Sequence, residues 1–166
     1  MGKAKEMYPT NVPKKHDVVF LGAVQERQYP LRYAIWNNLP SLAKKHGWSF
    51  LLKERPPGSA SVRHIDLLKQ RGYVVGDRYS ETLTRSKVFI FGCSIYKYPL
   101  LRYFEGWATK TLVMADKPFH ADRLGLVDGV NYVEINESNW ATKLKYYIEH
   151  DEERERIIQA GYKHFL

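Results

Sequence analysis

Cysteine occurs once, at Cys93, so no disulfide can form within the chain. That composition suits a reducing compartment. No apolar run approaches the roughly 18 residues that cross a bilayer. The first residues also lack the apolar core of a signal peptide. The expectation is a cytoplasmic protein with no membrane span. There is no DxD pair, no P-loop, no GxGxxG and no Cys/His set with metal-ligand spacing. Acids are in deficit too: 18 Asp and Glu stand against 26 Lys and Arg, a formal net charge of +8. Such an excess either solvates the surface or meets an anion. The anions to weigh are a nucleotide diphosphate, a nucleic acid and an acidic membrane surface.

What is present is enough for one ordinary domain. The chain has 166 residues, 44% of them apolar and 14% aromatic, so it can bury a sizeable core. Met1 to Lys15 are polar and basic, with Pro9 and Pro13, and read as a flexible tail or linker remnant over residues 1–15. Residues 16–166 then form a single domain. DVVFLG (Asp17–Gly22) is a short continuous apolar run, the mark of a strand buried on both faces. Leu31, Ala34, Ile35, Leu39, Leu42 and Ala43 recur at helical spacing from Pro30 to His46; Pro40 should kink or split that helix, and Gly47 should close it.

Further strands are expected at Trp48–Lys53, Val88–Gly92, Thr111–Ala115 and Asn131–Ile135, with a short one at Tyr73–Gly76. ERPPGSAS is a loop by composition. Helices are expected from Val62 to Arg71, from Asp77 (as N-cap) to Arg85, and from Pro99 to Thr109. Two more fill Ser138–His150 and Asp151–Phe165, where Ser138 and Asp151 are cap candidates and Gly161 is a weak spot. Strands alternating with helices predict an α/β, Rossmann-like three-layer α/β/α sandwich around a mostly parallel sheet.

Ligands in such sheets bind at the carboxyl ends of the strands. After the first strand come Gly22, Arg27 and Arg32; after the second, Lys53 and Arg55; after the third, Ser94, Tyr96, Lys97 and Arg102. Gly22 allows close backbone approach, and the arginines suit phosphate oxygens. Cations from separate loops thus converge on one rim, unless they are merely solvated. Glu105 lies on a helix amid Tyr103, Phe104, Trp107 and Ala108, so its carboxylate needs a partner: an arginine such as Arg102 or Arg32, or ligand hydroxyls. Tyr79 could stack on a base, and His120 follows a strand at the same rim. Cys93 ends an apolar strand; a buried inert thiol is the main reading and a catalytic thiol the rarer one.

The segments DVVFLG with YPLR, YSETLTRSKVFIFG, LRYFEGWATKTLVMA, DGVNYVEI and DEERERIIQAGYKHF, in that order, carry a family pattern. From Asp17 onward the chain resembles the C-terminal, nucleotide-sugar-binding half of GT-B type glycosyltransferases (glycosyl transferases group 1), and is most similar to the CgeB-like branch. The resemblance implies a UDP- or GDP-linked sugar donor and no metal. It implies that Glu105 meets the ribose hydroxyls and that Arg32 and Lys53 face the diphosphate. The Ser94–Leu100 turn would hold phosphate or sugar. It also implies an acceptor-binding domain or subunit besides this one. Two positions depart from the pattern: Lys97 replaces a glutamate common eight positions before the ribose-binding one, and Thr109-Lys110 replaces a glycine.

Two other functions fit the same residues. One is a non-catalytic nucleotide- or nucleic-acid-binding module, which the basic excess favours. The other is a structural domain that dimerises through Trp36, Trp107 or Trp140.

Overall fold

A computed structural model describes residues 12–56 and 64–166. Much of ERPPGSAS, the start of the helix expected at Val62 and most of the expected tail therefore lie outside the described residues. Five strands form one sheet: β1 (His16–Gly22), β2 (Phe50–Glu54), β3 (Ser86–Ile90), β4 (Leu112–Ala115) and β5 (Val133–Glu134). Their order is β2-β1-β3-β4-β5 and every pairing is parallel. The helices are α1 (Pro30–His46), α2 (Ile65–Gln70), α3 (Asp77–Thr84), α4 (Arg102–Ala108), α5 (Trp140–Glu149) and α6 (Asp151–Phe165).

Alternation along the strands builds a core on each face of the sheet. Val18, Phe20, Val88, Ile90, Leu112 and Met114 pack with Leu31, Ile35 and Leu39 of α1 and with Leu144 and Ile157. The residues between them, Val19, Leu21, Phe89, Phe91 and Val113, point the other way onto Leu83, Tyr103 and Trp107. Strands buried on both faces are what the continuous apolar runs predict, and the three-layer α/β/α sandwich follows.

The chain runs from β1 outward to β2, then crosses back to β3 on the other side of β1. Strand order therefore reverses between β1 and β3, and a crevice opens there at the carboxyl ends. Gly22 stands at that end of β1 and Gly92 just beyond β3.

Several local expectations need correction. Helix α1 runs unbroken through Pro40, because its buried face, from Leu31 to Ala43, continues on both sides of the proline. Gly47, at φ 71°, closes it as expected. Residues 73–76 are not a strand; they form a bend ending at Gly76, φ 61°, the N-cap of α3. Asp77 is consequently the first helical residue, paired with Lys69 rather than capping. The α4 helix starts at Arg102, so Pro99 and Leu100 lie outside it and line the cavity. The residues at the N-caps of α5 and α6 are Asn139 and His150, not Ser138 and Asp151. Gly161 is no weak spot: a Cβ there would meet the Trp107 indole, so the missing side chain makes room for close helix packing.

Candidate functional site

Arg32 sits one turn into α1, under the crevice, and is only 3% exposed. Its Nε donates to the Gly92 carbonyl at 2.6 Å and Nη1 to the Ala23 carbonyl at 3.3 Å. The guanidinium lies 4.0 Å from the Tyr29 ring centroid. One side chain thus bridges the loops after β1 and β3. No carboxylate among the described residues forms an ion pair with it. Burial pulls its ionisation down to about 10, and the charge of Arg102 adds to the fall.

Arg102 enters from α4. It donates to the Leu21 carbonyl, and its guanidinium lies where a Cβ on Gly22 would be. Gly22 therefore gives the Arg102 guanidinium room against the end of β1. Arg102 also forms no ion pair among the described residues. Two guanidinium groups thus stand close together at the end of β1, and Asp116 offsets the charge of Arg32 only from a distance.

Beside them opens a cavity of about 590 Å³. Lys53 and Arg55 reach it from β2, Arg102 and Glu105 from α4, and Tyr79 from α3; Val74, Val75 and Leu100 supply apolar wall. Glu105 accepts a hydrogen bond from the Tyr79 hydroxyl at 2.6 Å. The Tyr79 ring stands edge-on to Phe89, centroids 6.4 Å apart.

Of the sequence candidates, the cavity thus brings together Gly22, Lys53, Tyr79, Arg102 and Glu105, with Arg32 beside them. Three lie apart. Arg27 is exposed in the turn after β1 and does not line the cavity. Ser94 is buried and opens a tight turn: its Oγ accepts from the Tyr96 N–H at 3.2 Å and its carbonyl from the Lys97 N–H at 2.9 Å. Lys97 adopts φ 55° and is ion-paired with Asp116. Asp116 in turn accepts the Cys93 N–H at 2.7 Å, so the loops after β3 and β4 are clasped.

Cys93 is buried, 3.1 Å from the Tyr103 hydroxyl, and burial pushes its thiol up to about 11. That suits an inert thiol. His120 is exposed and outside the cavity lining. Trp107 and Trp140 are 1% and 5% exposed and Trp36 is half-buried, so they offer no aromatic dimer face. Among the described residues no group of His, Cys, Asp and Glu could hold a metal ion, and no helix is long and apolar enough to cross a membrane.

Sequence reasoning missed Tyr29, Asp116, Val74 and Val75. Asp116, an acid directly after a strand, carried a usable signal; the valines were masked by their strand-like composition.

Residues 17–166 match the family described as glycosyl transferase-like. The chain belongs to that family. No curated protein sequence matches it significantly. Among solved structures, it is similar to the C-terminal domain of LpcC, a glycosyl transferase group 1 family protein from Francisella tularensis. The TM-score is 0.68 at 18% identity, over 97% of this chain and 94% of that one. TarM from S. aureus, solved with UDP among its ligands, matches at TM-score 0.62 and 14% identity, over 95% of this chain and 33% of TarM. The pneumococcal O-GlcNAc transferase GtfA, in complex with UDP and GlcNAc, matches at TM-score 0.57 and 10% identity, over 96% and 34%. The glycosyltransferase-like chain is thus one half of a GT-B fold, and it spans about a third of the length of TarM and GtfA.

Proposed function

We propose that the cavity binds the nucleotide of a nucleotide-diphosphate sugar, UDP- or GDP-linked, as the donor site of a glycosyltransferase. The observation that carries this reading is Arg32, buried beside Arg102 with neither in an ion pair among the described residues. A fold keeps such an arrangement at a cost, and an anionic ligand offsets it. A diphosphate is the anion that fits: two guanidinium groups and the nearby Lys53 match its charge, and Gly22 lets the Arg102 guanidinium stand at the end of β1. In this reading Glu105 accepts the ribose hydroxyls and the apolar wall of Val74, Val75 and Leu100 receives the base. The positive charge that stabilises the departing diphosphate comes from Arg32, Arg102 and Lys53. UDP in the TarM and GtfA structures supports the ligand class.

Transfer needs an acceptor as well. The length of TarM and GtfA beyond this chain's match supports an acceptor-binding domain or subunit outside it. Ile95, Tyr96, Tyr98, Leu101 and Phe119, each more than half exposed, crowd the rim that such a partner would cover.

The test is a thermal-shift screen against UDP, GDP, ADP, TDP and a short oligonucleotide. A base-selective shift that Glu105→Gln weakens supports the donor site; the loss of a charge-assisted bond corresponds to about 1.5–3 kcal/mol. A salt-steep oligonucleotide response with no nucleotide shift would overturn it in favour of a nucleic-acid-binding module.

A further inference from the structure

Glu105 is held at two places. Its helix lies against the sheet without a spacer, since a Cβ at the next residue, Gly106, would run into Val113. The Glu105 carbonyl accepts from the Thr109 hydroxyl at 2.8 Å. These contacts fix the backbone. The carboxylate itself is fixed by a different element, through the Tyr79 hydroxyl that donates to Oε2 at 2.6 Å. The Tyr79 ring is in turn set edge-on against Phe89, which is fully buried in β3. Glutamate has several rotatable bonds, and a half-buried carboxylate left alone would sample many directions.

We propose that Tyr79 is a positioning residue that aims Glu105 and so gives the cavity its selectivity for ribose over 2′-deoxyribose. The phenol occupies Oε2 as a donor and leaves Oε1 to the ligand. An acceptor held in one direction rewards a hydroxyl placed against it and leaves a buried lone pair unmet when that hydroxyl is missing. Tyr79 thereby acts through Glu105 and not by stacking on the base. This inference rests on the donor-site reading.

The experiment is a calorimetric measurement of UDP, 2′-deoxy-UDP and inorganic pyrophosphate binding to the wild-type chain, Tyr79→Phe, Glu105→Gln and the double variant. Phenylalanine keeps the ring and its Phe89 contact and removes only the hydroxyl. The expected result for Tyr79→Phe is a loss of about 3- to 10-fold for UDP, the worth of one hydrogen bond. Binding of 2′-deoxy-UDP and pyrophosphate stays within about twofold. In the Glu105→Gln background, Tyr79→Phe adds much less than its single effect, because coupled partners are not additive. Equal losses for UDP, 2′-deoxy-UDP and pyrophosphate would mean a structural role and overturn the proposal. So would unchanged UDP binding by Tyr79→Phe while Glu105→Gln weakens it, a result that leaves the donor site standing. Wild-type protein that binds none of the three overturns both readings.

Discussion

Replacing Arg32 with methionine separates a ligand site from a structural tie. A large buried side chain normally costs several kcal/mol to replace; Arg32 should not. Burial and Arg102 draw its ionisation down to about 10, equivalent to roughly 3 kcal/mol against the charged form. Methionine removes that penalty and fills similar space. Against this stand two hydrogen bonds from a charged donor to the Gly92 and Ala23 carbonyls, about 1.5 kcal/mol each, and a Tyr29 contact of about 1 kcal/mol. The terms nearly cancel, so Arg32→Met should leave ligand-free stability within ~1 kcal/mol of wild type. The response to UDP should differ sharply. At about 100 times its dissociation constant UDP should stabilise the wild type by about 2.7 kcal/mol. The variant, lacking a charge-assisted contact, should gain about 1 kcal/mol or less at the same concentration. Urea unfolding with and without UDP reads both quantities. A ligand-free loss above ~3 kcal/mol would make Arg32 a structural tie, and equal stabilisation by UDP would remove it from the site.

Gly22→Ala should leave ligand-free stability nearly unchanged, because the Cβ meets the movable end of Arg102. It should weaken UDP about tenfold by displacing that guanidinium, measured by titration calorimetry. Gly161→Ala should destabilise by about 1–2 kcal/mol in urea unfolding: better helix propensity is outweighed by the clash with Trp107, whose Nε1 donates to the Asn131 carbonyl at 2.6 Å. Lys14 donates to the Thr84 and Lys110 carbonyls, and burial lowers its ionisation from 10.5 to about 8. Between those values the unfolded chain holds a proton that the folded one has released, so this contribution to stability rises with pH. Wild type should therefore gain on Lys14→Met between about pH 7.5 and about pH 9.5, in unfolding curves taken at both.

The sheet was legible because its strands are buried on both faces, which leaves continuous apolar runs such as DVVFLG and VFIFG. Helix starts were less legible. Pro99 has the composition of a first helical residue, yet Leu100 packs into the core beneath the cavity and delays α4 to Arg102. Tyr73–Gly76 has strand composition, but its Val74 and Val75 become cavity wall, a tertiary placement that local composition does not carry. Part of the cavity lining was legible, in Gly22, Lys53, Arg102 and Glu105 after the strands. Its internal pairing was not. Lys97 and Arg102 are equally basic in sequence, but the fold pairs Lys97 with an acid, Asp116, and Arg102 with the Leu21 carbonyl. That difference leaves Arg102, unlike Lys97, outside any ion pair among the described residues, and it lies in contacts across loops far apart in the chain.

Those loops are tied to one another. Ile95 N–H donates to the Gln28 carbonyl at 2.9 Å, joining the loops after β3 and β1. Phe119 N–H donates to the Lys97 carbonyl at 2.8 Å, joining the loops after β4 and β3. The Lys97–Asp116 clasp closes the set. Binding should therefore order little, and UDP association followed by stopped-flow fluorescence should show one phase whose rate rises linearly with concentration. A rate that saturates would reveal a slow rearrangement and refute a prebuilt rim. Transfer is a separate matter, because it requires a covered cleft that excludes water and orients an acceptor. A rim with Tyr98 and Leu101 at 64% and 74% exposure is uncovered. On the donor-site reading, tied loops cannot fold over the cavity themselves, so closure for transfer would fall to whatever covers those side chains.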